Sequence, residues 1–166
     1  SNLREVGRLP HPSTFVLSEP NVLVLDQATY QLDDGEWEPR EDSLYIDNIL
    51  RTRLGYPLKG DACIQPWANT APPAPAHRLK LRYDFFSHVE VPAKLALERP
   101  WEVQLLWNGE AIPVLPEGYF VDKSIHTVPL PGIRRGWNQL EVTVAYNDRT
   151  NLEWMYLLGD FGVAVK

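Results

Sequence analysis

Strict alternation of apolar and polar residues runs through four separate stretches of this chain, and no other feature narrows its fold so far. A period of two puts apolar side chains on one face of a strand and polar ones on the other. In RLKLRYDF, Leu79, Leu81, Tyr83 and Phe85 point one way and Arg78, Lys80, Arg82 and Asp84 the other. WEVQLLW sets Trp101, Val103, Leu105 and Trp107 against Glu102 and Gln104, and Asn108-Gly109 follows at once with tight-turn chemistry. NQLEVTVAY opposes Leu140, Val142, Val144 and Tyr146 to Gln139, Glu141 and Thr143, and in LEWMYLL the residues Leu152, Trp154 and Tyr156 share a face. Strands wet on one side belong to antiparallel sheets, because the strands of a parallel sheet are covered on both sides and read as apolar throughout.

Further strands are expected at 21–32, 94–98, 119–121, 125–129 and 161–165, with Asp33-Asp34-Gly35 closing the first. Turn signals return about every ten residues, which is the rhythm of a sandwich or jelly roll. One segment departs from it. DSLYIDNILRTRLG carries Ile46, Ile49, Leu50 and Leu54 at helical spacing, with Asp42 or Ser43 to cap its start, Gly55 to stop it and Pro57 beyond. The expectation is an all-β antiparallel sandwich with one short amphipathic helix, about 43–54, lying against an edge or end. The proline-rich PWANTAPPAPAH that follows is too stiff for regular pairing and reads as a surface strap.

At 166 residues the chain makes one well-packed domain and not two. A domain of this size hides roughly 70% of the surface its unfolded form exposes, so the lone Cys63 is not needed as a staple. Residues 1–20 read as an N-terminal extension or a linker from a preceding domain, and 21–166 as the sandwich module. The opening SNLREVGRLP has no signal-peptide core, and the chain starts and stops abruptly, as a segment cut from something larger would.

The net charge of −6 is concentrated rather than spread. Residues 33–42, DDGEWEPRED, hold six acids against one arginine and carry −5 of it. A nearly neutral body lacks the basic patch that nucleic-acid binding requires, and it lacks a polybasic or amphipathic membrane anchor. No apolar run approaches the ~18 residues of a membrane span.

From Asn21 onward the order of features resembles the galactose-binding-domain-like jelly-roll modules of large bacterial glycoside hydrolases. The stretch NVLVLDQATYQLDDGEW is similar to the opening strand of a module that follows a catalytic region. VQLLWNGEAI, YFVDKSIHTVPL and GIRRGWNQLEVTVAY are similar to the sugar-binding pattern in which a strand ends in Asn-Gly, an Asp follows in the next segment, and Gly-x-Asn leads into an alternating strand. Those positions are Asn108, Gly109, Asp122, Gly136 and Asn138. LLGDFGVAV resembles the closing strands. The likeness is nearest to modules of glycoside hydrolase families 2 and 106, the latter acting on α-L-rhamnosides. It implies a module without an active site, since these enzymes carry their catalytic carboxylates on other domains. It also implies an adjacent catalytic domain in the same polypeptide as partner, and it leaves the parent's compartment open among secreted, periplasmic and cytoplasmic. The fold by itself does not establish sugar binding, because such jelly rolls also serve as braces between domains.

Pyranose rings are held by aromatic faces with a few convergent polar groups. Of the six tryptophans, Trp101, Trp107 and Trp154 fall on the buried faces of their strands, which leaves Trp37, Trp67 and Trp137, in polar or turn-rich contexts, as platform candidates beside Asn138 and Asp122. Packing of loops onto the sandwich accounts for these three at least as well. The acidic window offers the hard oxygen ligands that a structural Ca²⁺ takes, at Asp33, Asp34 and Glu36, although its spacing is not that of an EF-hand. Glu41 and Asp42 also serve the start of the helix, and solvated hairpin charge covers the rest. No other cofactor is implied.

A glycosidase of its own would need two carboxylates across a cleft, one with a raised pKa, and no acid sits in an apolar strand context that would raise it. His11, His77, His88 and His126 share no zinc-ligand spacing with one another or with Cys63. Three functions follow, in order: a non-catalytic accessory module that braces a catalytic domain and touches carbohydrate, an autonomous carbohydrate-binding module, and a domain with its own hydrolytic site.

Overall fold

A computed structural model describes residues 20–60 and 71–163. Two antiparallel sheets pack face to face as a β-sandwich. Eleven strands and one α-helix follow in the order β1 (Asn21–Leu25), β2 (Gln27–Leu32), β3 (Glu38–Asp42), α1 (Ser43–Leu54), β4 (His77–Ser87), β5 (Ala93–Glu98), β6 (Val103–Trp107), β7 (Glu110–Ile112), β8 (Gly118–Phe120), β9 (Asp122–Pro129), β10 (Gly136–Tyr146) and β11 (Met155–Gly159). A five-stranded sheet has the order β1-β11-β5-β9-β8, and a six-stranded sheet has the order β3-β2-β4-β10-β6-β7.

The long alternating segments form the centre of the six-stranded sheet. β4 and β10 pair along their whole lengths, Trp137 opposite Phe86 and Tyr146 opposite His77, so Leu79, Leu81 and Tyr83 meet Val144, Val142 and Leu140 on the inner face. These six are buried, and they pack with Leu95, Leu97, Val128, Met155 and Leu157 from the other sheet. Asn108 and Gly109 both take positive φ, 50° and 86°, the conformation of a type I′ turn, and close the β6–β7 hairpin.

Helix α1 matches its expected span. Asp42 caps it, accepting from the Leu44 and Tyr45 amides at 2.8 and 3.4 Å, and Gly55 ends it at φ 72° with its amide turned back to the last carbonyls. Ile46 and Leu50 are fully buried and join the core. Ser43, the other candidate cap, is buried with its hydroxyl 3.0 Å from that of Tyr83. Among the described residues no helix is long and apolar enough to cross a membrane.

Several expectations need correction. The stretch 21–32 is two strands in different sheets, broken at Asp26, whose carbonyl accepts from the Ser43 amide at 2.7 Å. Trp101 belongs to a 3-10 turn, Pro100–Glu102, and strand alternation does not reach it; it is 65% exposed. β11 starts only at Met155, so Met155 and Leu157 face the core, while Trp154, in the preceding loop, is 39% exposed. Leu152 is buried from within that loop. Phe161–Val163 form no strand, and the rest of that expected strand lies outside the described residues. The acidic window contains β3, a charged edge strand of the kind that resists pairing with other chains.

The two outer faces differ in chemistry. On the six-stranded sheet the outward residues of β4 and β10 are polar except Phe86, Trp137 and Ala145. On the five-stranded sheet NVLVL and MYLLG are apolar on both faces, whereas AKLALE turns Lys94 and Glu98 outward on either side of Ala96. Val24 lies opposite Tyr156, which lies opposite Ala96, and Val22 lies opposite Leu158.

Candidate functional sites

Two connections cross between the sheets at one end of the sandwich: the turn from β5 to β6, and the loop 147–154 from β10 to β11. Between them a cleft of about 70 Å³ opens into the core. Its floor is apolar, with Leu81, Leu97, Val142 and Leu152, and its mouth carries Glu98, Arg99, Glu102, Asn151, Glu153 and Trp154. Beside the mouth Trp101 packs edge-on against His126, ring centroids 5.2 Å apart, and Tyr119 lies 5.1 Å from His126 on the other side. Two left-handed residues flank this group. Arg99 has φ 45°, and Val121, 92% exposed at the β8–β9 turn, has φ 63°, a conformation that a β-branched side chain disfavours. Held strain of this kind collects at binding sites and turns.

A buried polar network fixes the loop on one side of the cleft. Asp47 and Arg51, one turn apart on α1, form an ion pair at 3.0 Å with both side chains 4% exposed. Arg51 reaches on to the carbonyls of Pro57 and Asp148, each at 3.0 Å, and of Thr150 at 2.8 Å. The Tyr146 hydroxyl donates to the Asp47 carboxylate at 2.7 Å, and Lys59 approaches the same carboxylate at 3.3 Å. Burial first, and then the Asp47 carboxylate, raise the Tyr146 pKa above the ordinary phenolic value, so the hydroxyl keeps its proton and stays a donor. Burial likewise pushes Tyr83 up to about 12.

The aromatic candidates chosen from the sequence sit elsewhere. Trp137, 65% exposed, and Phe86, 51% exposed, meet edge to face at 5.7 Å on the outer side of the six-stranded sheet. Trp37 lies on the same side, with the Arg82 guanidinium 3.7 Å from its ring centroid. Trp67, His11 and Cys63 lie outside the described residues.

Asn138 is 1% exposed, and its amide is fully engaged. Its Nδ2 donates to the carbonyls of Arg134 and Gly136, and its Oδ1 accepts from the Arg134 amide and from Asn108 Nδ2. It pins the β9–β10 turn to the β6–β7 turn. Asp122 is fully exposed at the start of β9, where its carboxylate accepts from the Ser124 amide at 2.7 Å; hydrogen bonding to Ser124 lowers its pKa.

The acidic window is taken up by local pairs. Asp33 accepts from the Arg78 amide at 2.9 Å and meets His77 Nδ1 at 2.8 Å, and Asp34 pairs with Arg78. Glu38 pairs with Arg53 at 3.1 Å. Among the described residues no three His, Cys, Asp or Glu side chains gather as a metal site.

Two buried acids were not legible in the sequence, Asp47 and Glu141, which are 3% and 6% exposed. They lie in different parts of the fold. Asp47 faces Arg51 in the network under the loop, and Glu141 lies on the outer face of the six-stranded sheet, bound to Arg82 at 2.7 Å. Compared with known proteins, the chain matches no family model, no curated protein and no solved structure.

Proposed function

We propose that this chain is a non-catalytic β-sandwich module of galactose-binding-like, jelly-roll type, which belongs to a bacterial glycoside hydrolase and braces its catalytic domain. One observation carries this reading: the outer face of the five-stranded sheet is apolar along β1 and β11. A strand with one wet face alternates, whereas β1 and β11 carry apolar residues on both faces, the pattern of strands covered on both sides. Val22 and Val24 stand 36% and 40% exposed there, and Phe120 packs on Tyr156 at 5.7 Å beside them. A contiguous patch of this kind marks an interaction surface. The occupant that fits is the apolar flank of the catalytic domain in the same polypeptide.

The test is thermal inactivation of the parent enzyme carrying Val24→Lys. A charge in the interface is expected to speed inactivation several-fold and leave kcat unchanged, because the module contributes no reacting group. Inactivation at the parent's own rate would count against the brace.

A second reading, contact with carbohydrate, is favoured by the end cleft, where Trp154, Trp101 and Tyr119 are exposed beside Arg99 and Asn151. Aromatic faces with a few polar groups are what a pyranose needs.

A further inference from the structure

The outer face of the six-stranded sheet carries two aromatic groups along one strand pair. Near the middle of β4 Trp37 covers Arg82. Near one end, Trp137 and Phe86 stand opposite each other in register and pack edge to face. Two cross-strand polar pairs line the stretch from Arg82 towards Phe86. Arg82 Nε donates to Glu141 at 2.7 Å, and Gln139 Nε2 donates to Asp84 at 2.9 Å. Arg82, under Trp37, and Phe86, beside Trp137, are four residues apart on β4, so their backbone positions lie about 13 Å apart at the rise of a β-strand.

We infer that this face binds an extended, neutral oligosaccharide lying along the β4–β10 pair, with Trp37 and Trp137 as its two stacking platforms. The inference rests on the carbohydrate-contacting reading, at a place distinct from the end cleft. Three features specify the ligand. The separation is too long for one pyranose ring and suits several linked units. The carboxylates Glu141 and Asp84 sit among the cations along the path, which matches a chain of hydroxyl groups better than a polyanion. The pairing of β4 with β10 over eleven residues each holds the path in place, so little ordering cost is left for binding.

The experiment is electrophoresis of the protein in native gels cast with galactomannan, xyloglucan, arabinoxylan or polygalacturonate, alongside calorimetric titration with their free monosaccharides. At least one neutral polysaccharide is expected to retard the protein, with little change on adding salt, and the monosaccharides are expected to bind far more weakly. Trp137→Ala should weaken retardation about tenfold or more, as loss of an aromatic anchor does. Gln139→Ala, between the platforms, should weaken it several-fold, and Trp154→Ala should leave it unchanged. Both tryptophans are exposed, so these variants keep the parent melting temperature. Retardation that survives Trp137→Ala but is lost in Trp154→Ala overturns this inference and leaves the carbohydrate reading standing. Retardation by polygalacturonate alone overturns the neutral ligand. No retardation in any gel overturns both.

Discussion

Arg51 and Thr150 are separated by 99 positions in the chain, yet the guanidinium of the first donates to the carbonyl of the second at 2.8 Å. The bond ties the last turn of the only helix among the described residues to the loop that lines the end cleft. Because Arg51 also faces Asp47 in a buried pair, the loop is positioned by a charge that has no access to water.

Removing that charge leaves Asp47 buried with the Tyr146 hydroxyl and Lys59 alone. Arg51→Met is therefore expected to destabilise the fold by about 3–5 kcal/mol in urea melts, the range for breaking a buried pair from one side. Hydrogen exchange should rise first over residues 147–154. The double variant Asp47→Asn with Arg51→Met should recover part of the loss, since it removes the orphaned charge. A loss under about 1 kcal/mol for Arg51→Met would mean that the pair is solvated.

Asn138 is expected to act through structure. Asn138→Ala leaves the carbonyls of Arg134 and Gly136 and the Arg134 amide without their partner and should cost about 1–3 kcal/mol. Asn138→Asp keeps the acceptor but cannot donate to the two carbonyls, so it should destabilise as well. Equal stability of either variant to the parent in chemical denaturation would contradict this role.

Asp33 gives the acidic loop a pH signature. Hydrogen bonds from His77 and then from the Arg78 backbone hold its carboxyl below the ordinary carboxylate range. A depressed acid stabilises the fold above its unfolded pKa, about 3.9, and that contribution disappears as pH falls through the lower folded value. Since the pair is half exposed, the effect is less than about 1 kcal/mol. Melting temperatures of the parent and Asp33→Asn should differ slightly at pH 6 and converge near about pH 2. A gap that stays constant across this range would exclude the contact in solution.

The parts of the fold that were legible in the sequence are those set by local chemistry. Helix α1 could be read from Ile46 and Leu50 at helical spacing between an Asp42 cap and a Gly55 stop, and all three features operate within one segment. β4 and β10 could be read because each buries one face along its whole length. Alternation misled where it ran past a strand end. Trp101 sits in a turn and Trp154 in a loop, so the period that placed them inside does not apply to them, and both become exposed beside the cleft. β3 escaped notice because EPRED has loop composition and is a strand only through its pairing with β2. Buried Glu141 on the outer face is paired with Arg82, whose guanidinium lies under Trp37, neighbours brought together by tertiary structure. Trp37 and Trp137 stood out from their contexts, but that they share one sheet face is a fact of topology.

The brace can be tested most directly by sedimentation velocity on this chain mixed with the catalytic segment of its parent, the two expressed separately. The account predicts a one-to-one complex that Val24→Lys abolishes while leaving the melting temperature of the chain unchanged. Two independently sedimenting species, or a complex that persists with Val24→Lys, would contradict it.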